Sequence, residues 1–287
     1  MAEVYAAISG LELVAEQFDL GQGIIIRRTF GHLMMPSVMA FAPAKEGEPH
    51  PAPWRTVQGG SGIDFHAELF IPESIGSNEL KMEAQRAVAF LLRLGVNPAI
   101  TVSALATHSF SKLQSMPDSA GRIRTFETKE RSFELRTVGE GKLDQAGATW
   151  IAERWEKTRD LVKTSPEFYL AVSALDAGQF ERNTALALIS LWGALEALFS
   201  GDRSELRFRI SSYIASYLIP YGQGRDKRQR SIAKLYDKRS AAVHGIPNHR
   251  REDVLETFVL MREVLTKMIE DGKAPTREDL ERCLFGG

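Results

Sequence analysis

An arginine and a histidine a few residues apart can do phosphate chemistry. The guanidinium offers a planar fork of donors to phosphate oxygens, and an imidazole moves protons near neutral pH. The stretch LYDKRSAAVHG, residues 235–245, holds such a pair in Arg239 and His244. Ile232, Leu235, Tyr236 and Val243 recur at three- and four-residue steps and mark the apolar face of a helix. Arg239 is four residues after Leu235 and four before Val243, so it lies on that same face. An unpaired guanidinium there is costly. Either it meets a carboxylate, or the face lines a groove or a partner subunit.

His244 is five residues from Arg239, too far round an unbroken helix to meet it. Gly245 and Pro247 end the helix, which frees His244 to turn towards the arginine. Ala241 and Ala242 between them leave room for another backbone or a ligand. Lys227, Arg230, Lys234 and Lys238 recur at helical steps on the neighbouring face, and GRDKRQR, which contains Arg228, precedes them. A cationic row beside an Arg/His pair suits a phosphate backbone. The same residues also admit a purely structural reading. In that reading Arg239 pairs with a buried acid such as Glu196, His244 caps the helix, and the lysine row is a solvated face.

The elements that must hold this pair are helical. Trp150 to Val162 reads as one helix, and Pro166 opens another. Residues 182–200 form a strong helix with Leu188, Trp192, Leu195 and Phe199 on one stripe. Asp202, with Glu205 three residues on, predicts the cap of a helix through Leu206, Ile210, Ile214 and Tyr217. Residues 226–244 and 252–272 give two more helices, the last closed by Gly272, and Thr276 caps a short final one. Long helices with short connections predict an antiparallel bundle over residues 146–287.

Residues 1–145 follow a different pattern and predict an α+β domain. LELVAEQF and GIIIRRTF read as strands joined by DLGQG. GIDFHAELFIP and AITVSALAT are further strands, and RIRTFETKERSFELRTV is a hairpin. NELKMEAQRAVAFLLRLG is the one helix, stopped by Gly95. GGSGID, residues 59–64, lacks the Lys-Ser/Thr of a phosphate-binding loop and reads as a mobile turn. Asp64 and His66 share a strand face without a third ligand at telling spacing, so no metal site is expected. His108, Ser109 and Ser111 lack the glycine elbow of a serine hydrolase. His249 reads as a loop residue or phosphate contact, and Trp150 and Trp155 as core.

The 287 residues accommodate one large or two ordinary domains, and the 44% hydrophobic content fills a real core. A formal net charge of −1 directs the chain to neither nucleic acid nor membrane as a whole. The single cysteine, Cys283, excludes an internal disulfide and cysteine-rich zinc sites. No secretory leader or membrane span is expected, because the longest apolar run, ALALISLWGALEALF, is short and carries Glu196. A cytoplasmic protein without cofactor is the expectation.

ALISLWGALEALF, followed by ELRFRISSYIASYLI and then IAKLYDKRSAAVHG, resembles the Apea-like branch of the HEPN superfamily across about residues 150–272. The family motif is an arginine, four to six residues, then a histidine, and Arg239 to His244 matches it with four. Ser240 departs from the Asn, Asp or His that often follows the arginine in active relatives. The resemblance implies a helical bundle that forms a homodimer, with two Arg/His motifs meeting in one cleft. It implies metal-independent endoribonuclease activity, in which the ribose 2′-OH attacks the adjacent phosphate in a bacterial toxin or phage-defence setting. Arg239 and His244 are then catalytic. Glu196, Tyr236, Asp237, Lys238, Ser240 and Asn248 support them, and Lys227, Arg228, Arg230 and Lys234 contact RNA, whether tRNA or mRNA. The N-terminal domain would sense a phage trigger or regulatory partner, restrain the nuclease or select substrate. The alternative is a non-catalytic HEPN dimer that binds RNA or a protein partner.

Overall fold

A computed structural model describes residues 3–117, 119–127, 141–199, 206–222, 224–243 and 249–285. The chain divides into two compact units. One comprises Met1–Lys81, Ile100–Thr128 and Gly141–Gln145, and the other is built chiefly from Met82–Ala99 and Ala146–Gly287.

The first unit is an antiparallel sheet. Its strands are β1 (Val4–Ser9), β2 (Glu12–Leu13), β3 (Gln17–Asp19), β4 (Ile25–Ala40), β5 (Trp54–Ile71), β6 (Thr101–Ala106), β7 (Ile123–Thr125) and β8 (Lys142–Leu143). Six of them form one sheet in the order β3-β4-β5-β1-β6-β7, while β2 and β8 pair in parallel. All six residues of β1 are buried. That explains why VYAAIS carries no apolar–polar alternation and raises no strand signal in the sequence. The expected single strand LELVAEQF is two, β2 and β3. The Arg28 guanidinium donates at 2.7 Å to the carbonyl of Leu13, the last paired residue of β2.

GGSGID is not a mobile turn. It lies within β5, where Gly60, Ser61 and Gly62 pair with Pro36, Met35 and Met34. The glycines in this ribbon make room for rings from the opposite strand. A Cβ on Gly62 would collide with the His32 imidazole, and one on Gly31 with the Phe65 ring. Phe65 in turn packs against Phe110, with ring centroids 4.9 Å apart.

The second unit is helical. Along the chain the helices are α1 (Asn78–Gly95), α2 (Phe110–Leu113, in the sheet unit), α3 (Gln145–Ala152), α4 (Trp155–Thr164), α5 (Pro166–Gly178), α6 (Thr184–Phe199), α7 (Leu206–Leu218), α8 (Arg225–Val243), α9 (Arg251–Asp271) and α10 (Arg277–Phe285). Most of α1 groups with these helices, although it lies between sheet strands in sequence. Arg93 bonds Asp176 of α5 at 2.9 Å, Glu83 bonds Lys163 of α4 at 2.6 Å, and Arg262 of α9 donates to the Leu94 carbonyl.

The expected helix from Trp150 to Val162 is broken at Glu153–Arg154. There the Arg154 N–H turns to the Ile151 carbonyl, and its side chain returns to the Trp150 carbonyl. Trp155 is fully buried, whereas Trp150 is only partly so. Ser165 caps α5 by accepting from the Phe168 N–H, Asn183 caps α6, and Gly272 closes α9 with φ 69°. Thr276 and Asp279 cap α10 reciprocally. The expected cap at Asp202 and Glu205, and the second half of the hairpin over 122–138, lie outside the described residues.

α6 is the centre of this unit. It packs on α5, α8 and α9, and α7 packs on α8 and α10. Leu188, Trp192, Leu195 and Phe199 are all buried, as their spacing predicts. Among the described residues no helix is long and apolar enough to cross a membrane.

Candidate functional site

Arg239 sits where α8 crosses α6. Ile232, Leu235 and Tyr236 are buried on the same face, so the arginine points inward with them. Val243 closes that face in the sequence but is 47% exposed, because it is the last residue of α8, and Ala242 is buried instead.

The carboxylate that meets Arg239 belongs to Glu196, one helical turn after Trp192 on α6. Arg239 Nη2 lies 3.0 Å from both Glu196 oxygens, and Tyr236 donates its hydroxyl to Glu196 Oε1 at 3.1 Å. The guanidinium also lies over the Tyr236 ring, 5.6 Å from its centroid. That ring meets Trp192 edge-on at 5.2 Å. Both charged side chains are about one-fifth exposed, 20% for Glu196 and 23% for Arg239, so the pair is shielded from most screening. Burial pushes the Tyr236 hydroxyl above its usual pKa, and the Glu196 charge and hydrogen bond push it further. Tyr236 is therefore a neutral donor that fixes one carboxylate oxygen.

Glu196 engages Arg239 through one nitrogen. Among the described residues Arg239 Nε has no hydrogen-bond partner, and neither has Trp192 Nε1. The contrast is with Arg207 and Asp237, which form a two-bond fork at 2.6 and 2.7 Å between α7 and α8. Asp237 is thus committed to the α7–α8 contact. Sequence reasoning missed Arg207, because a cross-helix pair thirty residues apart leaves no local spacing to read.

The remaining candidates spread around α8. Lys238 comes within 4.0 Å of Asp253 on α9, and Ser240 is partly buried beside the motif arginine. Arg228 faces α9 and pairs with Glu263, and Arg230 pairs with Asp226 one turn earlier. Lys227 and Lys234 are exposed. His244 and Asn248 lie outside the described residues. His249 is partly buried, and among the described residues its Nδ1 has no partner.

In the sheet unit, Asp64 has a partner that the sequence did not suggest. His32, directly opposite in the β4–β5 register, bonds it through Nδ1 at 2.6 Å. The His66 ring instead packs at a tilt against Phe30, 5.6 Å between centroids. Ser109 bonds Ser111 and also the buried Glu68, and His108 bonds Thr107, so these side chains form no nucleophile–base pair. Among the described residues no group of three His, Cys, Asp or Glu is placed to hold a metal ion.

Compared with known proteins, the chain matches no family model, no curated protein and no solved structure.

Proposed function

We propose that this chain is a HEPN-type endoribonuclease that cleaves RNA without a metal ion, acts as a homodimer through its helical unit, and serves a bacterial defence or toxin system. The observation that carries this reading is Arg239. It is an inward-facing guanidinium that meets Glu196 through a single nitrogen, Nη2, in the sequence context Arg239-Ser-Ala-Ala-Val-His244. A structural salt bridge alone does not call for a histidine at that spacing.

In this mechanism His244 takes the proton from the ribose 2′-OH, and the oxygen attacks the adjacent phosphorus. The P–O5′ bond breaks, and a second proton transfer, from the other protomer's copy of the motif, completes the 5′-OH. The products are a 2′,3′-cyclic phosphate and a 5′-hydroxyl. Arg239 steadies the charge on the non-bridging oxygens. Glu196 and Tyr236 orient the guanidinium, and Lys227 and Lys234 offer charge to neighbouring phosphates. DNA lacks the nucleophile and survives.

A second reading, a non-catalytic HEPN dimer that binds RNA or protein, draws on two observations. Glu196 already neutralises Arg239, and Ser240 follows it.

The test is incubation of end-labelled RNA with purified protein in EDTA, wild type beside His244→Ala, with product ends identified. Cleavage by the wild type alone, leaving cyclic phosphates, supports the nuclease. Equal cleavage by both proteins removes the Arg/His pair from the chemistry. RNA retention without cleavage in either favours the binding reading.

A further inference from the structure

α7 and α8 are far more basic than the chain they belong to. Together they carry nine arginines and lysines against two acids, while the whole chain has a formal net charge of −1. Their own acids pair with Arg207 and Arg230, and Glu196, Asp253 and Glu263 of neighbouring helices meet Arg239, Lys238 and Arg228. Among the described residues Arg225, Lys227 and Lys234 meet no carboxylate. Arg225 donates to the Ile219 and Leu284 carbonyls, at 3.0 and 3.4 Å, which engage its N–H groups but leave its charge. A surplus of this sign selects an anionic partner.

A groove on the same two helices narrows the choice. Its volume is about 420 Å³, within the roughly 300–1,000 Å³ of sites that take one small ligand. Phe208 and Ser212 line it from α7, Arg225, Asp226 and Gln229 from α8, and Tyr221 from the turn between them. Phe208 is 60% exposed and Tyr221 79%, so two aromatic rings stand in water beside the groove. The Arg225 guanidinium lies over the Tyr221 ring, 5.4 Å from its centroid. Exposed rings and a guanidinium in a basic groove are what unpaired bases stack on. The bases of a duplex are already stacked and offer only their edges. A lipid headgroup has no flat face for the rings, and Asp226 and Gln229 oppose burial in an acyl layer. Phe208 follows Arg207, whose two bonds to Asp237 hold this end of α7 beside the motif turn of α8.

We propose that this groove is a base-stacking subsite, which holds an unpaired nucleotide of RNA on Phe208 and Tyr221 while Arg225, Lys227 and Lys234 meet nearby phosphates. The choice of RNA rests on the function proposed above. The preference for a single strand rests on the groove.

The deciding measurement is fluorescence anisotropy of the full-length protein with a short 2′-O-methyl RNA, whose blocked 2′ oxygens prevent cleavage. The probe is used as a single strand and annealed to its complement. Phe208→Ala and Tyr221→Ala fall at exposed positions and leave the core intact. Each is expected to weaken single-strand binding by about five- to a hundredfold at matched salt, and to leave duplex binding unchanged. Phe208→Tyr and Tyr221→Phe keep the ring and are expected to bind like the wild type. Unchanged single-strand affinity in the alanine variants overturns the proposal. So does an equal loss on both probes, or a wild type that does not bind the single strand. If that wild type binds phosphatidylserine vesicles and the alanine variants do not, the groove belongs to a lipid instead. The nuclease reading fails separately: ring-dependent binding by a wild type that leaves unmodified RNA uncut removes the cleavage and keeps the groove.

Discussion

Glu196→Leu isolates the arrangement at the centre of the helical unit. Leucine keeps the bulk on α6 but removes the acceptor for both the Arg239 guanidinium and the Tyr236 hydroxyl. Breaking a fully buried pair by deleting one partner costs about 3–5 kcal/mol, and an orphaned neutral donor about 1–3 kcal/mol. Both charged groups here are about one-fifth exposed, so water offsets part of each loss, and about 3 kcal/mol in total is expected. On a chain of this size that lowers Tm by roughly 6–12 °C, readable by far-UV circular dichroism. The double variant Glu196→Leu with Arg239→Met removes the stranded charge and is expected to recover at least half of the loss. The resulting coupling of about 1.5 kcal/mol or more is the signature of a direct pair. If Glu196→Leu lowers stability by less than about 0.5 kcal/mol, or the two substitutions simply add, Arg239 is held by something other than Glu196. The account of why an arginine occupies the inward face then fails.

Glu68 is fully buried and accepts from Arg27 at 2.5 and 2.8 Å, from Ser109 Oγ and from the Phe110 N–H. Glu68→Ala is expected to destabilise by about 3–5 kcal/mol, seen as a lower urea midpoint, and a loss below about 1 kcal/mol contradicts the buried network. Gly31→Ala drives a methyl into the Phe65 ring and is expected to destabilise by about 1–3 kcal/mol, whereas Gly193→Ala, with open space around it, is expected to be neutral or stabilising by up to about 1 kcal/mol. Lys273 and the Thr276 N–H hold the Asp279 carboxyl down to about 2. Because that is below its unfolded value of about 3.9, the stabilisation is present above about pH 4 and is lost as pH falls towards 2. Asp279→Asn is therefore expected to lower stability at pH 7, by no more than about 1 kcal/mol at this solvated site, and to match the wild type only at about pH 1, below both values. A full difference that persists there refutes the electrostatic origin.

The helical unit was the more legible half. Its elements announce themselves locally: a 3.6-residue apolar stripe through Leu188, Trp192, Leu195 and Phe199, a Ser-Pro start at residues 165–166, and a glycine stop at Gly272. The break at Glu153–Arg154 was hidden, because the side chain of Arg154 makes it by returning to Trp150, and Arg154 is an ordinary helix residue by propensity. The sheet unit was harder to read, since strand signals depend on which faces are covered. β1 is buried throughout and shows no period, and the glycines of β5 mimic a loop although Gly62 makes room for the His32 ring. Register decided the rest. His32 meets Asp64 only because β4 and β5 align Met34 with Gly62, and no spacing within either strand encodes that.

The Arg239–Glu196 contact was one of two readings open in the sequence, and its presence does not by itself choose between them. The distinction lies in how the guanidinium is used. A salt bridge that serves only to stabilise gains most from a two-bond fork, as Arg207 and Asp237 form within the same unit. Arg239 instead presents a single nitrogen to both oxygens of Glu196, while Tyr236 takes part of that carboxylate's capacity. A carboxylate shared in this way holds the arginine through one nitrogen only. Glu196→Gln separates the two roles. It keeps an acceptor in place but removes the charge. In a purely structural pair it therefore weakens folding and leaves RNA binding unchanged. In a phosphate site it lowers stability by about 1 kcal/mol yet tightens binding of RNA, because a freed cation faces the backbone. Equal RNA affinity for Glu196→Gln and wild type at matched salt, measured by fluorescence anisotropy, would count against the phosphate role of Arg239.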